Sequence, residues 1–157
     1  MARVKASASV REGLHSTPSR RMGEAANQTF KLGAVLVNSA GYLAEGGANP
    51  TNLIGIAAEA GDNNATAGAK DCLYYPVLPH LLFEMSLDKA SSLGYASLAA
   101  DRWTKYGITK HADGEWYVDV DKTGANARVI VVDFVDAVGT ASTRVLVCFL
   151  AVQTIYG

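Results

Sequence analysis

The side chains able to do chemistry are few and scattered. His15, His80 and His111 stand far apart, none with a second ligand at metal spacing, so each reads as a surface or turn histidine. Cys72 and Cys148 lie among apolar neighbours such as Leu73 and Phe149, and no histidine motif accompanies either as a base, so both read as buried, inert thiols. Asp119-Val120-Asp121-Lys122-Thr123-Gly124 echoes a calcium loop. The closing glutamate that such a loop needs falls on Ile130, which cannot bind calcium, so the segment reads as a strand running into a turn. Asp133 and Asp136 flank a strand end as solvated charges, with no acid or base partner in sight.

The glycines at 33, 41, 46, 47, 55, 61 and 68 do not form a phosphate cradle, because no Gly-rich turn runs from a strand into a helix. Asn27-Gln28-Thr29 and Asn64-Ala65-Thr66 match a glycosylation pattern, which has no meaning without secretion. These readings give no catalytic residue, no metal site and no cofactor. The chain is expected not to be an enzyme.

One feature remains, a basic head. Residues 1–31 carry six cationic and two acidic side chains, a net of +4, and the rest carries 8 and 13, a net of −5. Arg20-Arg21 is the only tight basic pair and no aromatic stacking partner precedes Phe30, so the head is too sparse for a nucleic-acid arm. Residues 1–29 are poor in large apolar groups and are expected to form an extended arm outside the core. The arm is read as lying across another protein, with Arg3, Lys5, Arg11, Arg20 and Arg21 as contact candidates, since arginine pairs well with carboxylates. Residues 1–23 are thus expected to add binding and not folding.

The elements that must carry these residues follow from pattern. The chain has 157 residues, 49% hydrophobic and 18% charged, against a usual charged share of roughly 25%. A low charge share suits a surface partly covered by a partner. Net charge is −1, which predicts neither nucleic-acid nor membrane binding. The N-terminus lacks the apolar segment of a secretory signal, and the longest apolar run, 145–152, is far short of the ~18 residues that span a bilayer. The expectation is a soluble protein of a reducing compartment, with residues 30–157 as a single β-rich body.

Within that body, strands are expected around 32–37, 42–44, 53–59, 72–77, 81–88, 106–109, 115–121, 129–135 and 144–154, with turns at Asn38-Ser39-Ala40-Gly41 and His111-Ala112-Asp113-Gly114. Strand 81–88 alternates and should have one buried face. Leu93, Ala96, Ala100 and Trp103 recur at helical spacing, so 89–103 is the one helical candidate. The fold class is all-β: a small barrel or sandwich of about eight short strands, one short helix and an extended N-terminal arm. The apolar runs at 129–132 and 145–152 need cover on both faces, and a homotrimer is expected to supply it.

Several segments carry a family likeness: Phe30-Lys31-Leu32-Gly33-Ala34-Val35-Leu36, Ala40-Gly41-Tyr42-Leu43, Ile54-Gly55-Ile56-Ala57, Tyr74-Tyr75-Pro76-Val77, Leu82-Phe83-Glu84-Met85, Ser97-Leu98-Ala99-Ala100-Asp101, Tyr106-Gly107-Ile108 and Trp116-Tyr117-Val118-Asp119. Together they resemble the small capsid decoration, or cement, proteins of tailed bacteriophages, over roughly residues 30–150. The resemblance implies a virion protein made in the host cytoplasm, with a β-rich body on the outer face of the head. It also implies trimers at three-fold positions and termini that grip the major capsid protein. It carries no catalytic residues with it. Two other readings stand beside it. A tail- or fibre-associated module that recognises a surface glycan would need exposed aromatics on one rim, and Trp103, Tyr106, Trp116 and Tyr117 are the candidates. A small trimeric β enzyme, such as a nucleotide hydrolase, would need a carboxylate and glycine site with a base, which the sequence does not offer.

Overall fold

The computed structural model describes residues 9–12 and 19–155. Thirteen strands follow one another: β1 Ser9–Glu12, β2 Arg20–Gly23, β3 Thr29–Phe30, β4 Val35–Ser39, β5 Tyr42–Glu45, β6 Leu53–Ala57, β7 Gly61–Asp62, β8 Asp71–Pro76, β9 Leu82–Asp88, β10 Lys105–Lys110, β11 Trp116–Asp119, β12 Val129–Phe134 and β13 Arg144–Phe149. The fold is all-β, with more and shorter strands than the pattern suggested.

Two hairpins form where turn chemistry is strongest. Ser39 pairs with Tyr42 across Ala40-Gly41, both at positive φ (49° and 88°), and the Asn38 side chain accepts the Gly41 N–H at 2.9 Å. Two left-handed residues match the natural twist of paired strands. Lys110 pairs with Trp116 around the Asp113-Gly114 corner, where Gly114 has a φ of 91°.

Strands β9, β11, β10, β12 and β13 close into a five-stranded barrel, because β9 pairs β11 in parallel and β13 antiparallel. The edge of β9 used by β11 at 86–88 is free at 82–84, and there β1 pairs with it. A second, open sheet runs β2-β8-β6-β4-β5, and β3 with β7 makes a two-stranded ribbon. Barrel side chains such as Phe83, Ile108 and Val147 and sheet side chains such as Leu36 and Ile56 belong to one buried cluster, so a single core serves both sheets. Phe83 and Phe149 meet edge to face at 5.4 Å, which adds about 0.5–1.5 kcal/mol beyond burial. Among the described residues no helix is long and apolar enough to cross a membrane.

Three expectations need correction. First, the boundary at residue 30 lies inside the folded body. Strand β2 pairs with β8 along its whole length, Met22 packs on the core, and Glu24 is 2% exposed. Strand addition satisfies main-chain groups at a sheet edge and needs no apolar side chains, so a segment poor in them can still be built in. Residues 20–29 therefore support folding.

Second, 89–103 holds no α-helix; only Ala99–Asp101 makes a 3-10 turn. Buried carboxylates capture the main-chain N–H groups that a helix would have used. Asp88 accepts from the amides of Lys89, Gly94 and Tyr95, Asp119 from that of Ala90, and Asp101 from that of Leu98.

Third, β9 is buried on both faces. Phe83, Met85 and Leu87 enter the common core, while Ser86 and Asp88 lie under the 89–104 segment that these carboxylates hold down. In β12 and β13, by contrast, the inward residues are buried and Ile130, Val132, Leu146 and Cys148 on the outer side are half-buried.

Candidate protein-binding surface

Of the five contact candidates, Arg3 and Lys5 lie outside the described residues. Arg11 falls in β1, which pairs along β9. Arg20 and Arg21 are both exposed on β2, at the outer edge of the open sheet. Arg21 bonds both oxygens of Glu59, at 2.9 and 3.4 Å, an ion pair largely open to solvent and worth little to the fold. Among the described residues Arg20 has no ion-pair partner. The fold thus leaves Arg20 the freer cation of the pair.

Of the four aromatics named for an exposed rim, one is in solvent, and it is the most exposed large apolar side chain among the described residues. Trp103 is 65% exposed and adopts a φ of 63°, a left-handed conformation that a bulky side chain rarely takes. Its N–H donates to the Val131 carbonyl at 2.7 Å, which fixes it beside β12. Next to it Arg102 bonds Asp133 at 2.8 Å and lies over the Phe134 ring at 5.3 Å. Leu98 is a further exposed apolar side chain of the same loop. Trp103, Leu98 and the Arg102–Asp133 pair lie beside the half-buried outer face of β12 and β13, and exposed Trp and Arg are side chains that protein interfaces favour. The helical spacing of 89–103 did not foretell this position, because the segment forms no α-helix.

The other three aromatics proposed for a glycan rim, Tyr106, Trp116 and Tyr117, are all buried. Tyr106 donates to Asp101 at 2.6 Å, and burial together with that carboxylate pushes its phenol far above its ordinary range. The Trp116 indole N–H donates to Glu45 at 3.1 Å. They fasten the core.

Apart from His80, the groups with chemical potential are likewise engaged in structure. Burial pushes the Cys72 thiol up to about 12, with Glu24 and Glu59 adding to the effect, so it holds its proton at neutral pH and is a poor nucleophile. Burial also raises Cys148. His80 is exposed, and His111 Nδ1 accepts the Asp113 N–H inside the hairpin turn. Asp119 accepts Thr109 Oγ1 at 2.7 Å, and Asp121 binds both the amide and hydroxyl of Ser91, which together with Lys89 lowers its pKa. Asp136 is lowered by its bond to Arg144.

Glu24 is different. Its Oε2 is buried and has no hydrogen-bond partner among the described residues, and the nearby Asn63 Oδ1 is in the same state. The Asn63 amide already donates to the Glu24 and Ala25 carbonyls. Burial raises the Glu24 pKa; the Asp62 N–H and Lys70 pull it down, and the charges of Asp62 and Glu59 push it up. The folded state thus holds this proton more tightly than the unfolded chain does. The stability so gained is complete below the ordinary glutamate pKa and is lost as pH rises through the folded-state value. Glu24→Gln is therefore expected to stabilise the protein at neutral pH by up to ~1–3 kcal/mol, the scale of an unmade buried hydrogen bond. It should flatten the pH dependence across that window. Urea denaturation of both forms as a function of pH measures this. An equally steep loss of stability in the variant would mean that another group titrates.

A comparison with known protein families finds no model that matches the chain, and a comparison with curated proteins finds none similar to it.

Proposed function

We propose that this chain is a structural virion protein that binds the outer surface of a phage head and stabilises the capsid lattice by occupancy. The class comes from the likeness of its strand segments to capsid decoration proteins. The observation that carries the reading is Trp103: a large aromatic held out in solvent, in a conformation with a steric cost, beside a half-buried apolar sheet face. Strained, exposed groups of this kind persist where binding uses them. The partners in this reading are the major capsid protein and two further copies of the chain, with the outer face of β12 and β13 as the self-contact. A ligand that binds only the expanded shell stabilises that shell by its binding free energy at every site, and a trimer adds avidity. The glycan reading has less support, since one exposed ring remains of the four proposed.

Arg20 on the β2 edge is the cation best placed to meet a carboxylate of the shell. Arg20→Ala with Arg21→Ala should weaken binding to expanded heads by about ten-fold or more for each contact that is desolvated in the complex, and by much less for exposed ones. Added salt should act in the same direction. Co-sedimentation titrations at two ionic strengths read both effects. Unchanged binding by the double variant would remove β2 from the contact.

A further inference from the structure

A cavity of about 230 Å³ opens where the loop after β5 meets the barrel, and it is lined by Gly46, Gly47, Ala48, Thr109, Lys110 and Lys122. The loop is held from both sides. Before it, Glu45 takes Lys110 Nζ at 2.6 Å and the Trp116 N–H at 3.1 Å. After it, the buried Arg128 donates to the carbonyls of Asn49 and Pro50 at 3.1 and 2.6 Å. Between these anchors the adjacent amides of Gly47 and Ala48 have no acceptor among the described residues.

The opposite wall is also built. A Cβ on Gly107 would lie 2.5 Å from Lys122 Cβ and 2.9 Å from its Cδ. The bare glycine lets the lysine stem lie flat on β10, with its ammonium only 3.3 Å from the Ile108 carbonyl. No carboxylate is within ion-pair range of Lys122 among the described residues. The carboxylates nearby are already engaged: Glu45 by Lys110 and Trp116, and Asp119 by Thr109 and by the amides of Ala90 and Asp121. One ammonium is thus left uncompensated beside two unused amides, against a wall that is mostly apolar.

We propose that this cavity binds a single carboxylate group carried on a short aliphatic chain. One uncompensated cation matches one negative charge, paired amides match two carboxylate oxygens, and the apolar wall takes the methylenes. The carboxylate comes either from a free short-chain acid or from a glutamate side chain of another protein. The inference rests on the cavity and is independent of the capsid reading.

The test follows the amide resonances of the intact protein during titration with butyrate, with glutamate blocked at both ends, and with inorganic phosphate. Saturable shifts centred on Gly47 and Ala48 are expected with the carboxylates. Tighter binding of butyrate assigns the site to a free acid, and tighter binding of the blocked glutamate assigns it to a protein side chain. Lys122→Gln should lower the carboxylate affinity about ten-fold or more while leaving the rest of the spectrum unchanged. Shifts that never saturate, phosphate binding as tight as carboxylate, or an unaltered affinity in the Lys122→Gln protein would each overturn the proposal.

Discussion

Asp88→Ala is expected to remove about 3–5 kcal/mol of folding stability, lowering the thermal midpoint by roughly 10 °C or more. Asp88 is fully buried at the end of β9. Its Oδ1 accepts the amides of Lys89, Gly94 and Tyr95 at 2.9–3.1 Å, and its Oδ2 accepts the Ser142 hydroxyl at 2.9 Å. One side chain thus pins the 89–104 segment over the barrel and ties it to the loop that leads into β13. Alanine leaves three buried amides without acceptors, each costing about 1–3 kcal/mol unless the loop opens to water. If it opens, the outer face of β9 and β11 is uncovered instead. Asp88→Asn keeps an oxygen for the three amides and places an amino group beside a hydroxyl that can accept, so its loss should be well below that of alanine. Urea denaturation of the three proteins tests this ordering. Equal losses for asparagine and alanine would show that the charge, and not the acceptor geometry, holds the segment.

Arg128→Met is expected to cost about 3 kcal/mol. The guanidinium is 4% exposed and donates to four carbonyls: Pro50 at 2.6 Å, Ala127 at 2.8 Å, Ala125 at 3.0 Å and Asn49 at 3.1 Å. Two effects oppose each other. Burial without a carboxylate disfavours the cation and lowers its pKa, so a neutral side chain relieves some desolvation. Methionine, however, has no donor, and four carbonyls lose theirs at once. The second effect wins because the four carbonyls belong to two separate loops, which one further side-chain bond, from Asn49 to Asn126 at 3.2 Å, also joins. Arg128→Lys, with a compact ammonium in place of a planar fork, should fall between. Hydrogen exchange should speed up around residues 46–50 in the methionine variant. Unchanged protection there would show that the loop stands without the clamp.

These two residues mark the limit of what pattern can reveal. The β4–β5 and β10–β11 hairpins were legible because Asn38-Ser39-Ala40-Gly41 and Asp113-Gly114 carry their conformational preference locally. Strands β12 and β13 were legible from their apolar runs. The parallel pairing of β9 with β11, which closes the barrel, leaves no local trace. Strands β1 and β2 were read as an arm because edge pairing uses main-chain groups, to which side-chain composition is blind. The helical spacing of Leu93 through Trp103 was real, but Asp88, Asp101 and Asp119 outcompeted the helix for its amides. Trp103, one of the four candidate rim aromatics, is the one that stands in solvent. The carboxylate cavity joins residues 46–48 to Lys122, with Gly107 making room for the lysine, a combination no motif announces. Of the arginines singled out by charge, Arg20 has no ion-pair partner among the described residues, and Arg21 is engaged with Glu59.

Binding to heads is the most direct measure of the proposed role. Expanded heads assembled without this protein, mixed with increasing amounts of it and sedimented, should carry it down until a fixed copy number is reached. That number should be a multiple of three per lattice site if trimers bind. Loaded heads should then resist heat and osmotic shock better than bare ones, in proportion to occupancy. Replacement of Trp103 by alanine should lower affinity without changing the folded spectrum of the free protein. Protein that stays in the supernatant at micromolar concentration, or that accumulates on heads without saturating, would contradict the architectural role.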